Sequence, residues 1–192
     1  MDLALIIVSI TYGLCVMTSP NLREGLIYHV YSTTSDGEVT RERRLMTTHS
    51  ETKFLPYTAQ QMYDLVSDVA SYPKFLPWTA ATRIRSTTDQ GDHVEMRADL
   101  VISFKVFREM FGSRVLLWPA DKKIDTAYLD GPFKHMQSQW QFVDVDGGCD
   151  VSFNVDFEFK NRLLQGAAGL FFYEAMQRVV RSFEARAAEI YC

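Results

Sequence analysis

The most constraining feature of the chain is an alternating strand that is followed almost at once by a long amphipathic pattern. Residues 151–159 read Val-Ser-Phe-Asn-Val-Asp-Phe-Glu-Phe, so apolar and polar side chains alternate with a period of two. This alternation predicts an antiparallel strand with one buried, Phe-rich face. Residues 163–190 repeat apolar residues at helical spacing, and such a helix buries its stripe only against another element. A curved Phe-lined sheet closed by one long helix encloses either a tight core or an apolar ligand cavity.

The length, net charge and cysteine spacing of the chain argue against a nucleic-acid-binding, a disulfide-rich or a zinc-binding protein. A chain of 192 residues with 47% hydrophobic residues is long enough to form one domain with its own core. The net charge of −4 argues against a nucleic-acid partner, because phosphate binding needs clustered Lys and Arg. Cys15, Cys149 and Cys192 are far apart and lack C-x-x-C spacing. We therefore expect a reducing compartment, with neither a disulfide framework nor a zinc site.

The first 45 residues differ from the rest of the chain. Residues 3–17 form an uncharged apolar run, which is shorter than the ~20 residues that usually span a bilayer. Asp2 precedes this run and no Lys or Arg occurs before Arg23, which fits neither a signal peptide nor a transit peptide. We interpret residues 1–45 as an N-terminal extension. It is either a start-site artefact upstream of Met46, a short membrane anchor, or a docking arm or extra strand, and residues 46–192 are the domain.

Within the domain, the periodic segments predict seven strands and three helical segments. The predicted strands are residues 49–56, 79–88, 93–104, 107–117, 124–129, 136–145 and 151–159. A capping box from Thr58 to Gln61 predicts the start of a short helix, and a second short helix or turn ends at Pro77. The order β-α-α-β-β-β-β-β-β-α predicts an α+β fold. A curved antiparallel sheet wraps around the long C-terminal helix in a helix-grip arrangement.

Catalysis needs reactive groups that converge, and the sequence offers few. The histidines are scattered, and we interpret His93 and His135 as ordinary surface residues. None of the patterns G-x-S-x-G, Walker A, G-x-G-x-x-G or H-E-x-x-H occurs. We therefore expect no catalytic residue and no metal site, and we predict that the chain is not an enzyme.

Two details favour a ligand cavity over a plain core, although an aromatic face is more often plain core. One sheet and one spanning helix leave the concave side thinly filled, which suits a mostly apolar pocket. Small or pliable residues also occur among the large rings and leave room between them. These residues are Met96, Ala98, Met136, Ser138, Ala167, Ala168 and Met176. The pattern alone leaves both interpretations open.

The segment 71–78, Ser-Tyr-Pro-Lys-Phe-Leu-Pro-Trp, resembles the coenzyme Q-binding START-domain family. This family lies close to the polyketide cyclase and ribosome association toxin group. Further stretches match in order at residues 98–102, 104–109, 113–115, 131–134, 140–142, 155–159 and 171–183. The resemblance extends from about residue 48 to residue 191 and leaves the N-terminal extension uncovered. Thr79 stands where many relatives have Cys.

The resemblance implies a START-like protein that binds ubiquinone (coenzyme Q) as a ligand and not as a catalytic cofactor. Such a protein acts as a lipid chaperone that supports ubiquinone biosynthesis and respiratory electron transport. The implied partners are an isoprenoid quinone, a membrane surface contacted peripherally, and proteins of ubiquinone biosynthesis or of the respiratory chain. The implied location is cytoplasmic, against the inner membrane of a bacterium, or the mitochondrial inner membrane of a eukaryote. Two alternatives stay open, a ribosome-associated toxin-like interaction module and a polyketide cyclase-like enzyme.

Position in the predicted elements divides the expected ligand-binding residues into two groups. The residues expected along the cavity are Met96, Trp140, Phe153, Phe157, Phe172 and Met176. The residues expected at the mouth, as a membrane contact or a lid, are Tyr72, Phe75, Leu76 and Trp78. Each buried isoprene methylene contributes roughly 0.8 kcal/mol, so apolar contact alone is sufficient to hold such a ligand.

Overall fold

A computed structural model describes residues 47–104 and 107–192. Within these ranges the side chains of residues 104, 107, 163, 164 and 166–173 are left out of the description. The N-terminal extension expected at residues 1–45 lies outside it.

Seven strands and two α-helices follow one another in the described part of the chain, in the predicted order. The strands are β1 (Thr47–Leu55), β2 (Thr79–Asp89), β3 (Val94–Phe104), β4 (Phe107–Trp118), β5 (Lys123–Asp130), β6 (Phe133–Val145) and β7 (Gly148–Phe159). The helices are α1 (Ala59–Ser67) and α2 (Arg162–Tyr191), with a 3₁₀ helix at Val69–Lys74 between α1 and β2. These bounds confirm the elements expected from hydrophobic periodicity.

The strands form one antiparallel sheet in the order β1-β7-β6-β5-β4-β3-β2. Strands β2 to β7 each pair with their neighbour in the chain, because short turns join antiparallel strands directly. The turn before β6 requires glycine: Gly131 has φ of 128°, and a Cβ there would lie 2.9 Å from Phe111. Strand β1 pairs with β7 instead, with His49 opposite Val155. The α+β helix-grip prediction is thereby confirmed.

The buried core occupies one end of the sheet, where α1 and the C-terminal half of α2 pack on it. Phe142 is 2% exposed, and Phe183 and Ala187 of α2 are buried beside it. The cluster consists of Ala59, Met62, Tyr63, Leu65, Val66, Val115, Leu117, Ile124, Phe142, Cys149, Val151, Phe183 and Ala187. The two helices thus close only part of the sheet with these residues.

Helix α1 is fixed to the sheet through its first turn. The Gln61 backbone N–H donates to the Thr58 hydroxyl at 3.2 Å, and the Thr58 backbone N–H donates to the Gln61 side chain at 2.9 Å. This is the predicted capping box. In addition, the Ala59 N–H donates to the Asp144 carboxylate of β6 at 2.7 Å. A carboxylate is favourable at this position because the free amides of a helix N-terminus carry partial positive charge.

The outer face of the sheet, which points away from α2, contains a buried carboxylate. Asp99 alternates with inward-facing residues of β3, as predicted, yet its side chain is only 6% exposed. Arg85 of β2 covers it, with 2.5 Å between the Arg85 guanidinium and the Asp99 carboxylate, and also pairs with Asp130 at 3.0 Å. A Cβ at Gly112 would lie 2.9 Å from Asp130, so glycine leaves the space in which these groups meet. Alternation therefore predicts the face of Asp99 correctly but not its burial.

Candidate functional site

The inner face of the sheet, which meets α2, is defined by the pairing of its strands. In β5, Thr126 and Tyr128 follow the buried Ile124 at a spacing of two, so all three lie on this face. The neighbouring strands place Met136, Ser138 and Trp140 of β6 opposite Phe157, Val155 and Phe153 of β7. Residues from three strands therefore share one surface beneath α2.

The inner face carries a core aromatic cluster at the end near α1, formed by Trp140, Phe142, Phe153 and Phe183. The Trp140 ring lies 4.2 Å from Phe153, 5.7 Å from Phe183 and 6.2 Å from Phe142, measured between ring centroids. A cavity of about 30 Å³ beside these rings is bordered by apolar side chains such as Met62 and by Glu51, Lys53 and Glu184. It is too small for an isoprene chain.

A distal aromatic cluster, formed by Phe111, Tyr128, Phe133, Phe157 and Phe159, occupies the other end of the inner face. Phe133 is at its centre: its ring stacks on Phe159 at 4.5 Å and lies 6.0 Å from Phe157. The rings of Tyr128 and Phe111 meet it edge-on at 5.6 Å and 5.9 Å. Edge-to-face and offset contacts are the favoured geometries for aromatic pairs.

Short side chains separate the two aromatic clusters. Ala98 and Ser113 lie opposite each other on β3 and β4, with exposures of 0% and 2%. Thr126 lies opposite Ser138, which in turn lies opposite Val155, and these three are partly buried. The side chains of the inner face are therefore short between its two aromatic ends. We name this region the short-residue strip, formed by Ala98, Ser113, Thr126, Ser138 and Val155.

The first half of α2 runs beside the short-residue strip, as its polar contacts with the edge strand β1 indicate. The Gln165 amide donates to the Thr47 hydroxyl at 2.9 Å, and the Gln177 amide donates to Glu51 at 3.4 Å. Thr47 lies opposite Phe157 and Glu51 lies opposite Phe153, and the short-residue strip crosses β7 between these two positions. Residues 165–177 of α2 therefore run along the strip. An ion pair between Lys53 and Glu184 continues this seam toward the core.

The residues expected along the cavity do not all lie together in the structure but at different places along the inner face and α2. Trp140 and Phe153 lie together in the core aromatic cluster, and Met96 packs on the core from β3. Phe157, which is 3% exposed, belongs to the distal aromatic cluster. Met176 is partly buried in α2. Phe172 also lies in α2, but its side chain is outside the described residues, so its expected place along the cavity stays a prediction.

The residues expected at a cavity mouth lie at the core end. Tyr72 and Phe75 meet the Phe183 ring edge-on at 5.6 Å and 5.2 Å, and Leu76 packs on the same cluster. The Tyr72 hydroxyl donates to the Val66 carbonyl at 2.5 Å, and burial raises the pKa of Tyr72. These contacts pack Tyr72, Phe75 and Leu76 against the core, and their expected role as a membrane contact or a lid stays a prediction.

Trp78 differs from its neighbours in backbone conformation. Its φ of 63° is left-handed, a region that a bulky residue rarely occupies. Its carbonyl accepts the Ser103 N–H at 2.7 Å, and the Arg178 guanidinium of α2 lies 5.9 Å from its ring. Trp78 therefore connects the turn before β2 with both the sheet and α2, which sequence periodicity could not reveal.

Apart from the seam between β1 and α2, the charged side chains of the described strands lie mainly on the outer face of the sheet. A wider recess of about 570 Å³ lies mainly on the outer face, where Gln139 donates to Asp125 at 2.9 Å and Ser50 to Asn154 at 2.6 Å. This recess is open, with exposed side chains such as Gln137 and Gln139 along it, and does not enclose an apolar ligand as a binding pocket would. Among residues 47–104 and 107–192, no three His, Cys, Asp or Glu side chains are grouped as metal ligands would be. No helix in these ranges combines the length and hydropathy that crossing a bilayer requires.

Comparison with known proteins identifies the family. The profile of the family described as polyketide cyclase / dehydrase and lipid transport matches residues 55–184. The chain belongs to this family. Within it, the chain is 37% identical over 148 residues to the ribosome association toxin RatA of Rickettsia prowazekii, covering 76% of this chain and 99% of that protein. It is 32% identical to the mitochondrial coenzyme Q-binding protein COQ10 homolog B of Xenopus laevis, covering 74% and 59%.

Solved structures agree with membership of this polyketide cyclase and lipid transport family. An 18 kDa protein from Caulobacter crescentus is 34% identical and superimposes with a TM-score of 0.65 over 76% of this chain and 98% of that one. A START superfamily protein from Mycobacterium smegmatis is 19% identical, with a TM-score of 0.59 over 74% and 98%. The latter likeness concerns the fold alone, and it confirms the START-like architecture expected from segment 71–78.

Proposed function

We propose that this protein binds an isoprenoid quinone of the ubiquinone type between the inner face and the first half of α2, as a lipid chaperone and not as an enzyme. The observation that carries the proposal is the short-residue strip between two aromatic clusters. Ser138 and Thr126 have short side chains and leave space above the inner face. At either end of the strip, the rings of Trp140 and Phe157 fill that space. The core end is closed by packing, so the ligand lies toward the distal aromatic cluster.

The chemistry of this surface fits an isoprenoid. Val155, Met136 and the rings of the distal aromatic cluster offer apolar contact, and each buried methylene contributes roughly 0.8 kcal/mol. Binding of this kind needs no nucleophile, acid or base. Similarity to a coenzyme Q-binding protein supports the choice of quinone over other apolar ligands.

Quinones with long tails reside in membranes, so a chaperone for them must meet a membrane surface. Met110 and Leu129, which are 51% and 41% exposed, adjoin Phe111 and Tyr128 of the distal aromatic cluster in sequence. Exposed apolar residues beside the proposed ligand site form a surface that lipid headgroups and tails can contact. We infer a peripheral position at the inner membrane of a bacterium or of a mitochondrion.

Filling the short-residue strip tests the proposal. Ser138→Trp places a large ring on the inner face, whereas Gln139→Trp places the same ring on the outer face of the same strand. We expect the full chain and Gln139→Trp to take up ubiquinone with a two-unit tail, measured by solvent extraction and chromatography. Ser138→Trp should fold, as judged by circular dichroism, but take up less than a tenth as much.

Two results would remove the proposal. One is a full chain that neither co-extracts a quinone from cells nor takes one up when it is added. The other is equal uptake by a folded Ser138→Trp and by Gln139→Trp.

A second candidate function is ribosome association, which the similarity to RatA toxins favours. The acidic net charge of −4 weakens any contact with exposed RNA phosphates. Co-sedimentation of the full chain with ribosomes, weakening steeply between 50 and 200 mM salt, is expected for this function. Absence of the chain from the ribosomal fractions at 50 mM salt would exclude it.

A further inference from the structure

Tyr128 has a hydroxyl group that is buried without a partner. Its oxygen has almost no exposed surface, and no hydrogen bond reaches it within the described structure. The ring is anchored edge-on against Phe133 at 5.6 Å. Leaving a buried hydroxyl without a hydrogen bond costs about 1–3 kcal/mol, so native proteins rarely leave one without a reason.

The polar neighbour of Tyr128 on the inner face is Ser113, and the other neighbours described above are aromatic rings. Ser113 lies directly opposite on β4, and its hydroxyl is 3.4 Å from the Ala98 carbonyl. That distance is long for a hydroxyl hydrogen bond, which is usually near 2.7–2.8 Å. The Tyr128 hydroxyl, which has no hydrogen bond among the described residues, and the Ser113 hydroxyl, which has only a long one, thus lie on adjacent strands beside a cluster of aromatic rings.

We propose that the Tyr128 hydroxyl donates a hydrogen bond to a carbonyl oxygen of the bound ligand and thereby selects for the quinone head group. This inference rests on the proposed function. It specifies that the protein recognises the head group of the ligand and that the Tyr128 hydroxyl does so. The quinone ring lies among the rings of the distal aromatic cluster, where flat rings have favourable contacts.

The experiment compares two ligands and two Tyr→Phe variants in the full chain. The ligands are ubiquinone with a two-unit tail and an isoprenoid hydrocarbon of similar length that has no carbonyl. Tyr128→Phe removes only the unpartnered hydroxyl. Tyr191→Phe is the matched control, because it removes a hydroxyl that donates to the Gln61 carbonyl at 2.9 Å.

For Tyr128→Phe we expect affinity for the quinone to fall about tenfold and affinity for the hydrocarbon to stay within about twofold. Without ligand, this variant should melt at the same temperature as the unmodified chain or higher, since an unsatisfied buried group is lost. Tyr191→Phe should melt lower and keep the preference for the quinone.

Unchanged quinone affinity in Tyr128→Phe, or an equal loss for both ligands, would overturn this inference while leaving quinone binding intact. A lower melting temperature of Tyr128→Phe without ligand would also overturn it, since it would reveal a structural bond. Failure of the proposed function is recognised separately, because the unmodified chain would then bind no quinone.

Discussion

Replacing Phe142 tests whether the core end of the inner face supplies stability and not ligand contact. Phe142 is 2% exposed, and its ring lies 6.2 Å from both Tyr63 and Trp140. Phe142→Ala removes the ring and leaves a void between α1 and β6 that the packed neighbours cannot fill.

The expected loss of unfolding free energy is about 3–5 kcal/mol, the range for buried Phe→Ala changes. Two aromatic contacts of about 0.5–1.5 kcal/mol each place Phe142 in the upper part of that range. A domain of this size has a total stability of about 5–15 kcal/mol. At about 2–4 °C per kcal/mol, the midpoint of thermal unfolding should fall by roughly 8–20 °C.

Urea unfolding followed by circular dichroism measures this change, with Val143→Ala as the control. Val143 is the next residue of the same strand and is 49% exposed, so its truncation should cost less than about 0.5 kcal/mol. Folded Phe142→Ala should keep its affinity for quinone at low temperature. A loss below about 1.5 kcal/mol, or an equal loss in Val143→Ala, would refute the assignment of Phe142 to the closed core.

Three further outcomes follow from the described contacts. Thr58→Ala should lower the unfolding free energy by about 1 kcal/mol in urea, because it removes the cap of α1, and no change would contradict that role. Burial raises the pKa of Cys149 to about 11, so at pH 8 iodoacetamide should label the exposed Cys192 before Cys149. Peptide mapping showing equal labelling rates would contradict this burial. Burial also raises the pKa of Tyr63 to about 12. Since the unfolded tyrosine loses its proton near pH 10, stability from this group is full below pH 10 and falls between pH 10 and 12. Tyr63→Phe should flatten that decline in urea unfolding, and an unchanged slope would assign the decline to other groups.

Most of the fold was predictable because its local signals agree with one another. The period of two in residues 151–159 and the helical spacing in residues 163–190 correspond to β7 and α2. The capping box at Thr58 marks the start of α1, because its hydrogen bonds involve only four successive residues. Glycine turns then specified a meander of neighbouring strands. These features depend on short-range geometry, which a single sequence contains.

The candidate site was less predictable because it depends on contacts between distant residues. Tyr128 has an ordinary inward position by alternation, and no sequence pattern reveals that its hydroxyl lacks a partner. Segment 71–78 points to the family, but only the ring contacts with Phe183 show that Tyr72 and Phe75 pack against the core. The burial of Asp99 likewise depends on Arg85 reaching it from another strand.

The pairing of β1 with β7 has a consequence for synthesis of the protein. The Ser50 hydroxyl bonds to Asn154, a residue 104 positions later in the chain. At about 5–20 residues per second, a ribosome adds the intervening segment in roughly 5–20 s. Throughout that interval β7, the strand with which β1 pairs, has not yet been made. Its first seven residues, Thr-Thr-His-Ser-Glu-Thr-Lys, contain no large apolar side chain, so the waiting strand offers other nascent chains little to aggregate with.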